Sequence, residues 1–411
     1  MAPEALRRRG EALRGRGEAL RRRGEALSVD VLIVGAGPAG ASTALHLLRR
    51  DPAWAGRMLL LDKAVHPREK LCGGGLTHLG ENILARLGLA LEPANFPVRR
   101  VKLVYGDLAY SFLGDPVIRI FRRDEFDHWL LRTAESWGAP VRQGEALREV
   151  HVGPEYVEVQ TDKARIRARV LVAADGSRST VRQKLKWDDE SRVARLLEVL
   201  TPEDAGRQPE FRDATAVFDF SRLTAGLQGY YWDFPSLVKG RPVMNRGVFD
   251  SRARPERPKA DLTGELRAAM AARERDLNDY TLKGHPIRWF DAGGRFAMPR
   301  VLLAGDAAGA DPLFGEGISF ALAYGEAAAA AVEDAFARAD FSFAGYRGRV
   351  LAHPLLRQLR LRVRLARWLY RLKSPWLLRL GWRLARLVVR PTRWANPHYV
   401  PAEPPRQPAG V

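Results

Sequence analysis

Residues 31–40 read VLIVGAGPAG and join an apolar run directly to a glycine-rich turn. The run is hydrophobic at consecutive positions, as is typical of a buried strand in a parallel sheet. Gly35, Gly37 and Gly40 have the spacing G-x-G-x-x-G, which permits a tight turn, close approach of the backbone to a pyrophosphate and close packing of helix on strand. A helix beginning near Pro38 would direct its free N–H groups at the phosphates. The stretch predicts a Rossmann-type dinucleotide-binding unit.

An acidic residue follows at the distance that such a unit requires. Residues 58–61, MLLL, form a second strand-like run that ends at Asp62, 22 positions after Gly40. In dinucleotide-binding units an acid in this region accepts a hydrogen bond from the ribose 2′-hydroxyl. A carboxylate here favours an adenosine ribose without a 2′-phosphate, which indicates FAD or NAD rather than NADP. Lys63, the next residue, belongs to the same predicted site.

Two further apolar runs end at a Gly or an Asp. Residues 170–176 read VLVAADG, and residues 301–306 read VLLAGD. Together with the first motif they span nearly 300 residues of the chain. Three such elements indicate that one extended cofactor contacts several distant segments.

In combination these motifs resemble the glutathione-reductase-type FAD flavoproteins, in the branch of p-hydroxybenzoate hydroxylase. Asp175 and Gly176 match the Asp-Gly motif of that branch. Asp306 matches the acid of its Gly-Asp motif, which contacts the ribityl chain of FAD. Arg123, which opens the segment RDEFD, matches the arginine that lies near the pyrophosphate. The resemblance covers about residues 28–330 and implies FAD as the cofactor.

A loop before the last long helix completes the predicted cofactor site. Residues 311–318 read DPLFGEGI, and in the family the start of the following helix faces the pyrimidine edge of the isoalloxazine ring. The predicted cofactor-binding residues are Gly35, Gly37, Ala39, Gly40, Asp62, Lys63, Cys72, Gly73, Gly74, Arg123, Asp175, Gly176, Asp306, Gly315, Gly317 and Ile318.

Two shorter motifs resemble the geranylgeranyl reductase family within this branch. Residues 70–76, KLCGGGL, match its Lys-x-Cys-Gly-Gly segment, and residues 230–235, YYWDFP, match its Tyr-x-Trp-x-Phe-Pro strand. The resemblance implies that Tyr230, Trp232 and Phe234 line a substrate cavity and that Cys72 lies beside the flavin, where it is the candidate catalytic residue for proton delivery. Asp233 departs from the pattern, which has an apolar residue at this position.

The family resemblance implies an FAD-dependent oxidoreductase that reduces C=C bonds in the isoprenoid chain of a lipid or quinone. Hydride would come from reduced FAD, with NAD(P)H or a ferredoxin as the electron donor. Two alternatives stay open at this point. The same fold hosts FAD-dependent monooxygenases and halogenases of aromatic or polyketide substrates, and a basic peripheral membrane protein could retain a flavin fold without catalysis.

The resemblance and the order of the motifs predict an α/β fold: a discontinuous Rossmann-type FAD-binding domain, an inserted antiparallel β-sheet substrate domain, and C-terminal amphipathic helices. The predicted segments are 28–100, 121–189 and 291–337 for the FAD-binding domain, 101–120 and 190–290 for the substrate domain, and 338–411 for the basic C-terminal helices and tail. Residues 1–27 repeat the heptad EALRRRG at 4–10, 11–17 and 18–24, with one leucine and at least one glycine in each heptad and Gly15 in place of an arginine in the second. This segment is predicted to be disordered, and it is also consistent with a start codon assigned too far upstream of Ser28.

The net charge of +19 belongs to the two ends of the chain. Residues 341–402 hold 14 Lys or Arg and no acid, with Arg357, Arg360, Arg364 and Arg367 at helical spacing between apolar residues. Four of the ten tryptophans lie between residues 368 and 394. Amphipathic helices rich in Arg and Trp indicate an anionic membrane surface as a partner of residues 355–394. The alternative is that their apolar faces cover the substrate domain and the arginines face solvent.

Other features bound the class of protein. Cys72 is the only cysteine, so no internal disulfide can form and a cytoplasmic location is expected, peripheral at the inner face of the membrane. The eight histidines show no zinc-ligand spacing, and no metal site is predicted. No nucleic acid is expected, because the basic stripe lies on apolar helices without a recognisable reading motif.

Overall fold

The computed structural model describes residues 27–187 and 192–389, with side chains as far as residue 385. The predictions for residues 1–26 and 390–411 lie outside the described residues. Sixteen strands are described: β1 Leu27–Val34, β2 Met58–Asp62, β3 Gly75–Thr77, β4 Asn95–Tyr105, β5 Leu108–Phe121, β6 Val141–Gln143, β7 Leu147–Val152, β8 Val157–Thr161, β9 Arg165–Ala173, β10 Val193–Pro202, β11 Thr215–Asp219, β12 Gly229–Val238, β13 Arg241–Asp250, β14 Lys283–Arg288, β15 Ala297–Met298 and β16 Val301–Leu303.

Ten α-helices are described, and the last four follow one another after the final strand. They are α1 Pro38–Arg50, α2 His78–Arg86, α3 Arg123–Ser136, α4 Thr180–Lys184, α5 Pro209–Arg212, α6 Leu262–Ala271, α7 Ile318–Arg338, α8 Tyr346–Ala352, α9 Gln358–Leu369 and α10 Pro375–Val389. Helix α1 buries eleven of its thirteen residues, because its small side chains let it pack closely on α7. The hydroxyl of Ser42 donates to the carbonyl of Leu322 at 2.8 Å across this contact.

Sheet A carries the dinucleotide-binding unit. Its strand order is β15-β16-β9-β1-β2-β6, and the pairs from β16 to β6 are all parallel. Strands β7 and β8 form a hairpin, and β8 pairs antiparallel with β9. The last four residues of β1 and all of β2 are buried, as their continuous apolar sequences predict. The three sequence motifs therefore follow adjacent strands, since β16, β9 and β1 are neighbours.

Sheet B is the inserted sheet, in the order β14-β10-β13-β12-β11-β4-β5-β3. All of its pairs are antiparallel except β4 with β11, which is parallel. Strand β12 is buried on both faces over most of its length, because one face lines a cavity and the other packs under α6. The predicted fold class is confirmed. The segment boundaries stay a prediction, and sheet B takes in β3 and all of β4.

Helices α9 and α10 pack on sheet B with one face each. Ala366 on the first helix, Tyr370 directly after it, and Leu378 and Trp382 on the second helix are buried in the same apolar cluster as the cavity wall. The indole of Trp382 packs against Tyr105, with ring centroids 5.5 Å apart. No helix in the described part of the chain is both long and apolar enough to span a bilayer.

Candidate active site

A cavity of about 940 Å³ lies between the carboxyl ends of the strands of sheet A and one face of sheet B. Val34, Ala174 and Asp306, at or just beyond the ends of β1, β9 and β16, line it on one side. In an open parallel sheet this is the edge where ligands bind. The lining contributed by sheet A and its loops is largely polar, whereas the lining contributed by sheet B is apolar and aromatic. Every predicted site residue lines this cavity except Gly40.

The three glycines of the first motif have different physical roles. A Cβ on Gly40 would lie 1.8 Å from the carbonyl oxygen of Gly35, so Gly40 serves the packing of α1 on β1 rather than the cavity surface. Gly35 has φ +103°, and a Cβ there would meet the carbonyl oxygen of Ala174 at 2.4 Å. Gly37 is different, because the nearest atom to its Cβ would be the Arg68 guanidinium at 3.5 Å. The fold therefore requires Gly35 and Gly40. Gly37 is not required by packing, and the absence of a side chain there leaves open space in the cavity.

The start of α1 fits a pyrophosphate. Gly37 is its N-cap, and no side chain caps the helix. The free N–H groups and the positive end of the helix dipole therefore adjoin the open space beside Gly37, which suits an anionic group. Gly176 contributes a second open surface, since a Cβ there would contact no atom within 4 Å. These features match a dinucleotide cofactor such as FAD.

Asp62 both holds the glycine turn and lines the cavity. Its two carboxylate oxygens accept hydrogen bonds from the N–H groups of Ala36 at 2.7 Å and Ala64 at 2.8 Å. Burial opposes ionisation of Asp62, but the neighbouring His66 side chain and the hydrogen bonds from these two N–H groups hold its pKa below the ordinary value. The carboxylate is therefore ionised and retains acceptor capacity for a ribose hydroxyl.

The residues of the later motifs meet beside this turn. Asp306 accepts a hydrogen bond from the Ser177 hydroxyl at 3.1 Å. One oxygen of Asp175 accepts from the N–H of Val181, and the other is buried with no hydrogen-bond partner among the described residues. Arg123 lines the cavity, but its guanidinium makes a bidentate pair with Asp127 at 2.7 and 2.8 Å. A contact of Arg123 with the pyrophosphate, as predicted, would therefore have to come from guanidinium N–H groups that do not bind Asp127.

Cys72 is held in the cavity wall by sheet B. Its carbonyl accepts a hydrogen bond from the Asn245 amide at 3.1 Å, and the Asn245 oxygen accepts from the Trp232 indole at 2.9 Å. Its thiol lies beside the N–H of Gly74, with the sulfur and nitrogen 3.4 Å apart. Glu198 lies next to Asn245 and the backbone of Cys72, where burial raises its pKa to about 7 against the effect of Arg122. Sequence reasoning missed Glu198 and Asn245, because their strands carry no motif.

A lysine–histidine pair in the cavity lining joins a loop to sheet B. Lys70 Nζ and His285 Nε2 lie 2.5 Å apart, joining the KLCGGGL loop to β14. Burial lowers the pKa of Lys70 to about 8, and burial together with the charge of Lys70 lowers the pKa of His285 to about 4. At neutral pH Lys70 is therefore the donor and His285 the neutral acceptor. Lys70 stands within a recognised motif, whereas His285 had no signal in the sequence.

The aromatic motif on β12 alternates across sheet B. Tyr230, Trp232 and Phe234 line the cavity, and their contact with a substrate stays a prediction. Asp233 points to the opposite face, where it accepts from Arg246 at 2.9 Å and from Arg273 at 2.7 Å. The departure from the family pattern at Asp233 therefore lies outside the cavity. The Tyr230 hydroxyl donates to the carbonyl of Phe314 at 2.5 Å, and burial raises its pKa well above the ordinary value.

Comparison with known protein families identifies the family to which this chain belongs. The model of the family described as FAD binding domain matches residues 28–323. The chain belongs to this family. Menaquinone reductase of Mycobacterium tuberculosis is 30% identical over 343 residues, which cover 74% of this chain and 76% of the relative. Digeranylgeranylglycerophospholipid reductase 2 of Methanopyrus kandleri is 28% identical over 346 residues, which cover 77% and 80%.

Solved structures share the fold. A geranylgeranyl bacteriochlorophyll reductase-like protein from Thermoplasma acidophilum has a TM-score of 0.71 at 20% identity, and the match covers 89% of this chain and 92% of that one. A flavin-dependent halogenase has a TM-score of 0.60 at 20% identity, and the match covers 80% and 63%. The chain is an FAD-dependent oxidoreductase of the geranylgeranyl reductase type. The predicted family, FAD cofactor and enzyme class are confirmed, and the non-catalytic alternative is set aside.

Proposed function

We propose that this oxidoreductase reduces C=C bonds in the isoprenoid chain of a lipid or quinone. The observation that carries the proposal is the continuity of one cavity from the FAD-fitting turn at Gly37 to the apolar wall of sheet B. The printed names of the relatives, a menaquinone reductase and a digeranylgeranylglycerophospholipid reductase, point to substrates with long prenyl chains. When bound in its reduced form, FAD supplies the hydride.

The aromatic wall is suited to a hydrocarbon chain rather than to a polar ring. The Tyr230 hydroxyl and the Trp232 indole N–H are both already paired with protein acceptors. These two residues therefore present ring surface, and their polar groups are not free to bind a substrate. An isolated C=C bond develops no oxyanion during reduction, so alignment of the chain and exclusion of water are what this wall would contribute.

Reduction of a C=C bond also needs a proton, and we propose Cys72 as the donor with Lys70 as the competing candidate. Cys72→Ala is expected to slow prenyl reduction by about 100-fold, in the range typical for loss of a general acid, with FAD content unchanged. Rates of the wild type and of Cys72→Ala should be measured from roughly pH 6 to pH 10, a range that includes the pKa of Lys70, which burial lowers to about 8. An acid must be protonated, so the rate falls as pH rises through the pKa of the donor.

Lys70→Met is the matched comparison for this prediction. If Cys72 is the donor, Lys70→Met retains the alkaline fall in rate. If Cys72→Ala reduces prenyl chains at the wild-type rate and Lys70→Met loses a fall centred near pH 8, the donor is Lys70, whose pKa burial lowers to about 8. That result would contradict the assignment of Cys72.

The reaction itself is tested by anaerobic reoxidation. The purified FAD-containing protein is photoreduced without oxygen and mixed with a geranylgeranyl-bearing glycerolipid. Its fully saturated counterpart serves as the control, because it has the same headgroup and length but no C=C bond. We expect reoxidation of the flavin by the unsaturated lipid alone. Reoxidation by neither lipid would count against this substrate class.

A monooxygenase or halogenase is the second candidate, and the shared fold of the flavin-dependent halogenase favours it. Trp232 and Pro235 also match two positions of the Trp-x-Trp-x-Ile-Pro motif of flavin-dependent halogenases, whereas Tyr230 and Phe234 replace its first Trp and its Ile. This function requires oxygen, so the reduced protein would stay reduced with any prenyl lipid until oxygen is admitted. The electron donor belongs to the same proposal, and NADH, NADPH and reduced ferredoxin are compared as sources of the first reduction.

We further propose that α9 and α10 dock on an anionic membrane, which would place the protein at the inner face of the membrane as a peripheral protein. The side of these helices that faces away from sheet B exposes large apolar residues, and seven of the eleven exposed large apolar side chains in the described part of the chain lie here. They are Leu361, Leu365, Trp368, Trp376, Leu377, Leu380 and Leu384. Exposed Arg364, Arg367 and Arg383 stand among them.

The double variant Trp368→Ser/Trp376→Ser is expected to bind phosphatidylglycerol-containing vesicles on the order of tenfold more weakly than the wild type, because both indoles are more than half exposed. Vesicle sedimentation at two salt concentrations measures this change. Leu282→Ser, which removes an exposed apolar residue outside this surface, is the control and should bind normally. Equal binding of the double variant, or equal binding to neutral and anionic vesicles, would contradict the proposal.

A further inference from the structure

Arg362 reaches into the cavity from outside the FAD-binding part of the chain. It lies on α9, beyond the matched residues 28–323, and it lines the same cavity as Gly315 and Gly317. Its Nη1 atom lies 2.6 Å from the carboxylate of Asp311 and 2.7 Å from that of Glu316. Both acids belong to the loop that leads into α7. The C-terminal helices therefore contribute a charged group to the site as well as covering sheet B.

The three charges are closely coupled. Asp311 is fully buried, and the Arg362 and Glu316 side chains are 19% and 11% exposed. Burial raises the pKa of Asp311, and Arg362 opposes that effect. The two carboxylates raise the pKa of Arg362 further, against the effect of its own burial. The single positive charge of Arg362 thus balances two carboxylates. Its removal would leave two acids next to each other in a buried environment without a cation beside them.

The same loop is held by hydroxyl groups from three other elements. Its successive carbonyls at Pro312, Leu313 and Phe314 accept from Ser251 at 2.6 Å, Tyr370 at 2.8 Å and Tyr230 at 2.5 Å. These contacts fix the loop backbone, but each acts between neutral groups. Arg362 is the charged partner of the Asp311 side chain, which also accepts hydrogen bonds from the N–H groups of Leu313 and Phe314.

We propose that Arg362 is a positioning residue of the redox site. It holds Asp311 and Glu316 so that residues 315–317 present their backbone to the FAD, and its positive charge offsets the two acids beside the start of α7. The inference rests on the proposed placement of FAD against this loop. Reduced FAD carries more negative charge than oxidised FAD, so loss of the positive charge disfavours the reduced form.

The test is the midpoint potential of the FAD-containing protein, measured by equilibration with a reference dye. Arg362→Met keeps the length of the side chain and removes the charge. We expect it to bind reduced FAD at least tenfold more weakly relative to oxidised FAD, which corresponds to a midpoint about 30 mV more negative. Arg362→Lys should recover most of this change. Arg349→Met, which breaks an exposed ion pair outside the cavity, should leave the potential unchanged.

A charge-restoring variant separates electrostatics from packing. In Arg362→Met/Glu316→Gln one acid is neutralised together with the arginine, so the potential should return toward the wild-type value. If Arg362→Met does not fold, Glu316→Gln alone carries the test, and it should shift the midpoint in the positive direction. An unchanged potential in Arg362→Met, or no recovery in the double variant, overturns the inference.

FAD binding by Gly37→Leu and the midpoint potential of Arg362→Met together distinguish an error in the proposed FAD placement from an error in the role of Arg362. If Gly37→Leu still binds FAD, the proposed placement is wrong and the role of Arg362 fails with it. If Gly37→Leu loses FAD while Arg362→Met keeps the wild-type potential, the placement stands and only the role of Arg362 is wrong.

Discussion

Gly37→Leu is expected to give a folded protein that purifies without FAD. The backbone at Gly37 has φ −73° and ψ −175°, which any residue can adopt, and the nearest atom to an added Cβ is the far end of the Arg68 side chain at 3.5 Å. The leucine side chain would instead fill the space at the start of α1 where the pyrophosphate is expected. We expect affinity for FAD to fall on the order of a hundredfold or more, or about 3 kcal/mol. Absorbance of bound flavin and titration calorimetry measure this loss.

Stability should change little in this variant, because leucine in place of glycine at an N-cap costs about 1 kcal/mol or less. Gly40→Ala is the matched control with the opposite pattern. Its Cβ would lie 1.8 Å from the carbonyl oxygen of Gly35, so this variant should lose its fold together with FAD. Stoichiometric FAD in purified Gly37→Leu would show that the pyrophosphate does not lie at this turn.

Asp233→Ala is expected to lower the free energy of unfolding by about 3–5 kcal/mol, as is typical when one partner of a buried ion pair is removed. Asp233 is 2% exposed and accepts hydrogen bonds from Tyr231, Arg246 and Arg273. Its loss would leave Glu203 as the carboxylate partner of Arg246. Because Asp233 points away from the cavity, the FAD affinity of the folded fraction should stay the same. Urea denaturation followed by far-ultraviolet circular dichroism measures the stability.

Asp115→Ala provides the comparison for a surface ion pair. Asp115 and Arg99 are 80% and 68% exposed, so its substitution should change stability by less than about 1 kcal/mol. If Asp233→Ala changes stability no more than Asp115→Ala does, the buried cluster under α6 is not a stability determinant. If it instead weakens FAD binding in the folded protein, the two faces of β12 are coupled in a way that the structure does not indicate.

Local motifs predicted the parts of the site that depend on local geometry. The turn at Gly35, the acid at Asp62 and the alternation of Tyr230 and Trp232 follow from backbone conformation over a few residues, and the structure brings all of them to one cavity. The parallel neighbours β16, β9 and β1 also follow from the repeated run of apolar residues ending at a Gly or Asp.

Contacts between distant segments could not be predicted in this way. His285 meets Lys70 across 215 positions, and Arg362 meets Asp311 across 51, so no spacing rule relates them. The C-terminal helices show a further reason. Their hydrophobic residues divide between a face packed on sheet B, which includes Ala366 and Trp382, and a face left exposed. The sequence shows an amphipathic pattern but does not reveal that both sides of the helices are apolar.

The most direct test of the central claim counts hydrogen atoms on the prenyl chain after anaerobic turnover. Menaquinone is incubated with the photoreduced protein, and the enzyme is then removed. The quinone ring is reoxidised in air, and the mass of the product is measured by mass spectrometry. The ring can itself oxidise reduced flavin, so only the mass of the chain is informative. The account predicts a gain of two hydrogen atoms for each reduced double bond. A prenyl chain that keeps its mass although the flavin is photoreduced repeatedly, so that reduction of the ring cannot consume all of the electrons, would contradict it. A product that forms only when oxygen is present during turnover would also contradict it.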